Sequence, residues 1–171
     1  MPRPEFEQAV VPHLDAAFNY ARWLTRNDAE AEDVVQDALV RALRFFSSLR
    51  NDDARAWLLA IVRNSWYTRL SRAGTAGASD DAIVSELPDG APGPEALALQ
   101  RQTADRVQAA IHSLPPDFRE VIVLREIEGL SYKEIAAVVG VPAGTVMSRL
   151  SRARERLLAI LEPLVSAGGV S

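Results

Sequence analysis

The chain of 171 residues contains no cysteine and only two histidines. Without thiols it has no disulfide framework, no thiolate metal site and no direct thiol sensing. No run of about 18 apolar residues occurs, so no membrane-spanning helix is expected. The first stretch, MPRPEFEQAVVPHL, has neither a long apolar core nor a small-residue cleavage site, so a secretory signal is not expected and a cytoplasmic protein is. The phosphate-loop pattern G-x-x-x-x-G-K-[ST], the zinc-protease pattern H-E-x-x-H and the nucleophile elbow G-x-S-x-G are all missing. His13 and His112 stand alone in sequence. Glu30, Glu32, Asp33 and Asp37 lack the E-x-x-H partner that a di-metal helix pair needs. The expectation is a protein with no metal, no cofactor and no catalysis.

What remains is apolar and periodic. Hydrophobic residues make up 48% and charged residues 25%, enough for a packed core and too little charge for a disordered chain. The most informative stretch is GLSYKEIAAVVGVPAGTVMSRLSRARERL, residues 129–157. Ser131 followed by Glu134 has the form of a capping box. Ile135, Ala136 and Val139 mark one face of a short helix, and Gly140 stands where a left-handed cap ends it. Pro142 suits the start of a second helix. Val146, Leu150, Ala153 and Leu157 then give that helix a core face. Thr145, Ser148, Arg149, Ser151 and Arg152 give it a polar and basic one. Hydroxyls and guanidinium forks on one helix face are what reads base edges and phosphates in a major groove, so a helix-turn-helix that binds DNA is expected.

Charge divides the chain into three. Residues 1–72 are neutral, residues 73–95 carry a net −5 with no basic residue, and residues 96–171 carry +1. The middle segment, AGTAGASDDAIVSELPDGAPGPE, has the composition of a tether. The expected fold is therefore all-α: two small helical domains, 1–72 and 96–171, joined by a flexible acidic linker at 73–95. The tether is either an inert spacer or, through Ile83, Val84 and Leu87, a short docking element.

The first domain reads as three helices. Phe6, Val10, Leu14, Ala17, Phe18, Ala21 and Leu24 keep helical spacing up to about Asn27, and Asp28 is a candidate cap for the next helix. That helix buries Val34, Val35, Ala38, Leu39, Ala42 and Phe46 and presents Asp33, Gln36, Asp37 and Arg41 outward. After a polar loop, a third helix runs from about Ala54 to Arg72, with Trp57, Leu58, Ile61, Val62 and Ser65 inward. Its second half carries Arg63, Asn64, Trp66, Tyr67, Arg69 and Arg72. Basic residues among aromatics suit phosphate contact and base stacking; by spacing alone they equally suit a core and rim with solvated arginines.

The stretches DAEAEDVVQDALVRAL, RAWLLAIVRN and LPPDFREVIVLREIEGLSYKEIAAVVGVPAGTVMSRLSRARERL, in this order around an acidic linker, resemble an extracytoplasmic-function (ECF) sigma factor of bacterial RNA polymerase. The resemblance covers the chain from about Phe6 to Leu161. It implies that Asp33, Gln36, Asp37 and Arg41 bind core RNA polymerase. It implies that Arg63, Asn64, Trp66, Tyr67, Arg69 and Arg72, with the loop Leu49 to Ala54, melt the −10 element and hold an extruded base. It further implies that Thr145, Ser148, Arg149, Ser151 and Arg152 bind the −35 element. Met147 departs from the family, which commonly carries a basic residue there. The implied partners are core polymerase, promoter DNA and an anti-sigma factor, with no membrane insertion and a monomer when free. The alternative is a stand-alone helix-turn-helix regulator, which usually dimerises on palindromes; no dimerisation heptad is visible. A net charge of −4 predicts weak binding of DNA by the isolated protein.

Overall fold

The computed structural model describes residues 3–49, 53–73 and 95–168. Among these residues the secondary structure is helical: α1 (Arg3–Val10), α2 (Leu14–Thr25), α3 (Asp28–Arg44), α4 (Ala54–Arg72), α5 (Glu95–His112), α6 (Pro116–Ile122), α7 (Tyr132–Val139) and α8 (Ala143–Gly168). The all-α expectation holds. Residues 74–94 of the acidic segment, with Ile83, Val84 and Leu87, and residues 50–52 of the loop before α4 lie outside the described residues.

Local chemistry sets the helix ends, and in three places differently from the sequence reading. The apolar stripe from Phe6 to Leu24 is two helices, because Pro12 has no N–H to give and the chain makes a single 3₁₀ turn at Val11–His13. Arg26 closes α2 in the left-handed region (φ 60°), its N–H reaching the Arg22 carbonyl at 2.7 Å. The N-cap of α3 is Asn27 rather than Asp28: its backbone is extended, and its Oδ1 accepts from the Glu30 N–H at 2.9 Å. Asp28 pairs with Arg22 instead, at 2.9 Å. Asp53 caps α4 by accepting from the Ala56 N–H. Finally, α8 continues past Leu157 to Gly168, with Pro163 inside it.

In the N-terminal half α2, α3 and α4 pack on one another through Ala17, Ala21, Ala31, Ala38 and Ala42, whose small side chains allow close approach, and through Val34, Leu58, Leu59 and Val62. Phe46 stands edge-on between Phe6 and Trp57, with centroids 5.4 and 6.3 Å away, and ties α1 to α4.

In the C-terminal half, α6 widens into a π turn at Val123–Ile127, where the Glu128 N–H bonds the carbonyl five residues back at 3.0 Å. Both bonds of the Ser131–Glu134 capping box form, at 2.8 and 3.1 Å. Gly140 ends α7 at φ 76°, a conformation that an L side chain strains to adopt. Ile135, Val138, Val146, Leu150 and Ala153 meet beneath the turn, so α7 and α8 form the expected helix-turn-helix.

The two halves pack directly on each other, α4 against α7 and α2 against the π turn, and their buried residues form one continuous cluster. Leu150→Ala should lower unfolding free energy by about 2–5 kcal/mol through lost burial and a residual cavity. Met147→Ala, at a position 49% exposed, should change it by less than about 0.5 kcal/mol. Urea denaturation followed by far-ultraviolet circular dichroism distinguishes the two.

Candidate nucleic-acid interface

The outer face of α8 is arranged as its sequence requires. Val146, Leu150 and Ala153 are buried, which fixes the helix rotation and leaves Ser148, Ser151 and Arg152 exposed. Thr145 and Arg149 are half-buried at the edges of this face. Arg149 lies 3.9 Å from Asp117, a loose pair beyond hydrogen-bond distance. Arg154 is committed elsewhere, with Nη2 2.6 Å from Glu126. The five residues singled out in the sequence therefore share one accessible surface, with Met147 among them.

The second half of α4 behaves differently. Asn64 and Arg72 are exposed, Trp66 is half-buried, and Arg69 reaches back to α3, donating to Asp37 at 2.9 Å and lying 3.9 Å from Asp33. Residues that the sequence places at two interfaces, DNA and polymerase, are thus joined by an ion pair. Gln36 is exposed and Arg41 half-buried on the same side of α3.

Arg63 and Tyr67 point the other way, into the junction with the C-terminal half. Arg63 Nε donates to Glu120 Oε1 at 2.6 Å and Tyr67 Oη donates to Glu120 Oε2 at 2.7 Å. A third donor, Tyr20 Oη on α2, reaches Oε1 at 2.8 Å. The Arg63 guanidinium also lies 4.8 Å from the centre of the Tyr67 ring. Burial, then the neighbouring Glu120 charge, pushes both tyrosine hydroxyls well above the ordinary phenol range, so each remains a donor.

Two further ties cross the junction. Arg55 at the start of α4 donates to the Glu128 carbonyl at 3.2 Å and to Glu134 at 3.3 Å. Trp23 stacks on His112 with centroids 4.6 Å apart.

Sequence reasoning missed Glu120, Tyr20, Arg55 and the Trp23–His112 pair. Two signals were present. Glu120 interrupts the apolar run FREVIV, and Tyr20 falls on the same helical face as Ala17, Ala21 and Leu24. Neither reveals which partner lies across the junction.

Comparison with known proteins decides the family. Residues 9–75 match the model of sigma-70 region 2, and residues 104–157 match sigma-70 region 4. The chain is 39% identical over 145 residues to the ECF RNA polymerase sigma-E factor of Escherichia coli, covering 80% of this chain and 76% of that protein. It belongs to the ECF sigma factors. The ECF RNA polymerase sigma factor SigE of Mycolicibacterium smegmatis is 34% identical over 157 residues; the alignment takes in 90% of this chain but 60% of that longer relative. Among solved structures, this ECF sigma factor resembles RpoE of Bartonella quintana, crystallised with the anti-sigma factor NepR. The TM-score is 0.72 at 33% identity, over 92% of this chain and 97% of that one. It also resembles CnrH, solved with the cytosolic domain of CnrY, with a TM-score of 0.67 at 30% identity, over 94% and 90% of the two chains.

The junction carries a pH dependence whose sign follows from His112. Burial first, then Arg26 and Arg119, lowers its pKa from 6.5 to about 4. The separated state therefore binds a proton more readily, and the packed junction is fully favoured above pH 6.5 and weakens as pH falls toward 4. His112→Phe keeps a ring against Trp23 and should flatten this dependence; thermal unfolding across pH 4.5–7 checks it, since unaltered acid sensitivity would place the titrating group elsewhere.

Proposed function

We propose that this ECF sigma factor binds core RNA polymerase and directs it to promoters whose −10 element it melts and whose −35 element it binds as duplex. The observation that carries this reading is the helix-turn-helix whose outer α8 face is polar, basic and accessible, in a chain of this family. In this reading residues 1–72 bind polymerase and the −10 element, residues 73–95 are the tether, and residues 96–171 bind the −35 element.

Each role has a chemical basis. Arg152 and Arg149 supply guanidinium forks to guanine edges and phosphates, while Thr145, Ser148 and Ser151 supply short hydroxyls at the same surface. On α4, exposed Asn64 both donates to and accepts from the edge of an unpaired base, Trp66 and Tyr67 offer rings for stacking, and Arg63, Arg69 and Arg72 follow the strand. Extruding a base costs a few kcal/mol of stacking and pairing, so a dedicated pocket must repay it. Asp33, Gln36, Asp37 and Arg41 form the polymerase-binding face of α3, with Arg69 holding the two aspartates in place.

The chain works by binding and positioning, with no reaction of its own, and in the cytoplasm, where polymerase is. Among the described residues no helix is long and apolar enough to cross a membrane. An anti-sigma factor is its expected inhibitor, since the related RpoE of Bartonella quintana is crystallised with the anti-sigma factor NepR. The stand-alone regulator is disfavoured because it leaves the outward face of α3 without a role.

Two substitutions separate the sites. Arg152→Ala should weaken binding to a cognate −35 duplex within the polymerase complex by about 1–3 kcal/mol and leave core binding intact. Asp37→Arg should weaken core binding, measured by titrating labelled protein with core enzyme, and leave the helical circular dichroism spectrum unchanged. Wild-type affinity for both ligands in both variants would remove these site assignments.

A further inference from the structure

Glu120 is the one buried acidic side chain among the described residues, 4% exposed, and all three of its donors belong to the other half of the chain. Tyr20 Oη and Arg63 Nε meet at Glu120 Oε1 and Tyr67 Oη meets Oε2, so three donors from the other half surround one carboxylate. One permanent cation and two hydroxyls form a preorganised receptor for an oxyanion. A carboxylate and a phosphodiester present oxygens of similar spacing and charge to such a receptor. Two of the three donors, Arg63 and Tyr67, stand on α4, the helix assigned to the unpaired −10 strand, with Asn64 exposed beside them.

We propose that Tyr20, Arg63 and Tyr67 form a binding site for a backbone phosphate of the unpaired promoter strand, and that Glu120 of the C-terminal half occupies this site in the packed chain as an internal mimic of that phosphate. The inference rests on the reading of α4 as the −10 helix and adds to it Tyr20, a residue on α2 that the sequence does not single out. It makes the packed arrangement and binding of the strand mutually exclusive, because one set of donors serves both anions. DNA access to these three donors then requires the halves to part, whereas Asn64 and Arg72 on the same helix stay exposed in the packed chain. Arg55 with Glu134, and Trp23 with His112, strengthen the packed state without touching the anion site.

The absence of cysteine makes the test direct. Asn19→Cys and Glu155→Cys, at exposed positions on α2 and α8, accept a fluorescent donor and acceptor without competing thiols. A mixed-sequence single-stranded oligonucleotide serves as probe, since phosphate contacts carry no sequence information. In the otherwise wild-type chain, saturating oligonucleotide should lower energy transfer as the halves part. Glu120→Gln should lower transfer without oligonucleotide and tighten oligonucleotide binding by about tenfold, the factor expected for loss of one charge-assisted hydrogen bond in the competing state. Adding Tyr20→Phe to Glu120→Gln should remove most of that gain.

Three results would overturn the proposal: binding of the oligonucleotide at full transfer, unchanged transfer and affinity in Glu120→Gln, or opening in Glu120→Gln with no tighter binding. The first comparison uses no change at Glu120, so it decides the matter even if that variant folds poorly. A separate titration of the labelled chain with core polymerase keeps the underlying reading distinct: no core binding would overturn the sigma-factor role whatever the oligonucleotide does.

Discussion

A carboxylate removed from water must find its charge and its hydrogen bonds inside the protein, and Glu120 finds all of them in the opposite half of the chain. Burial of an unpaired ion costs several kcal/mol, whereas a paired and fully hydrogen-bonded one is close to neutral. The junction therefore depends on alignment: Arg63 and Tyr67, one turn apart on α4, and Tyr20 on α2 must all meet α6 at once. The π turn immediately after α6, the packing of α4 on α7 and the Arg55 tie to the helix-turn-helix cap keep that alignment. An interaction of this kind gives little net stability but strong geometric selection.

The same requirement distributes the functional surfaces. Burying Val146, Leu150 and Ala153 leaves the polar face of α8 open to solvent, so the duplex recognition proposed for it is compatible with the packed chain. The α4 surface is divided: Asn64 and Arg72 remain accessible, while Arg63 and Tyr67 are engaged. The weak DNA binding expected of the isolated protein then has two physical sources, a net charge of −4 and the engagement of Arg63 and Tyr67 by Glu120 on the helix proposed to bind the strand. A protein that meets promoters together with polymerase loses nothing by either.

Much of this was legible in the sequence, and the boundary is physical. The helix-turn-helix could be read in detail because its determinants are local: the Ser131–Glu134 box, the left-handed Gly140 and the four-three-four spacing of Val146 to Leu157 each act within a few residues. The all-α class and the inner faces of α3 and α4 followed from periodicity. The break at Pro12 is set by its missing N–H, a signal that the apolar spacing from Phe6 to Leu24 does not carry. Asp28 and Asn27 compete for one cap, and only backbone geometry separates them. The ion pairs of Arg69 with α3 and of Arg63 with α6 span 32 and 57 residues, and no local pattern encodes such a partner. Basic residues on α4 therefore looked equivalent in sequence, whereas the fold gives each a different neighbour.

The most direct test of the central claim is run-off transcription with purified core polymerase on a pool of promoter fragments from the source genome, with and without this protein. Discrete protein-dependent transcripts whose start sites share two upstream motifs at fixed spacing are expected. No protein-dependent transcript, together with tight binding of the isolated protein to a palindromic duplex, would contradict the claim and assign the helix-turn-helix to a stand-alone regulator.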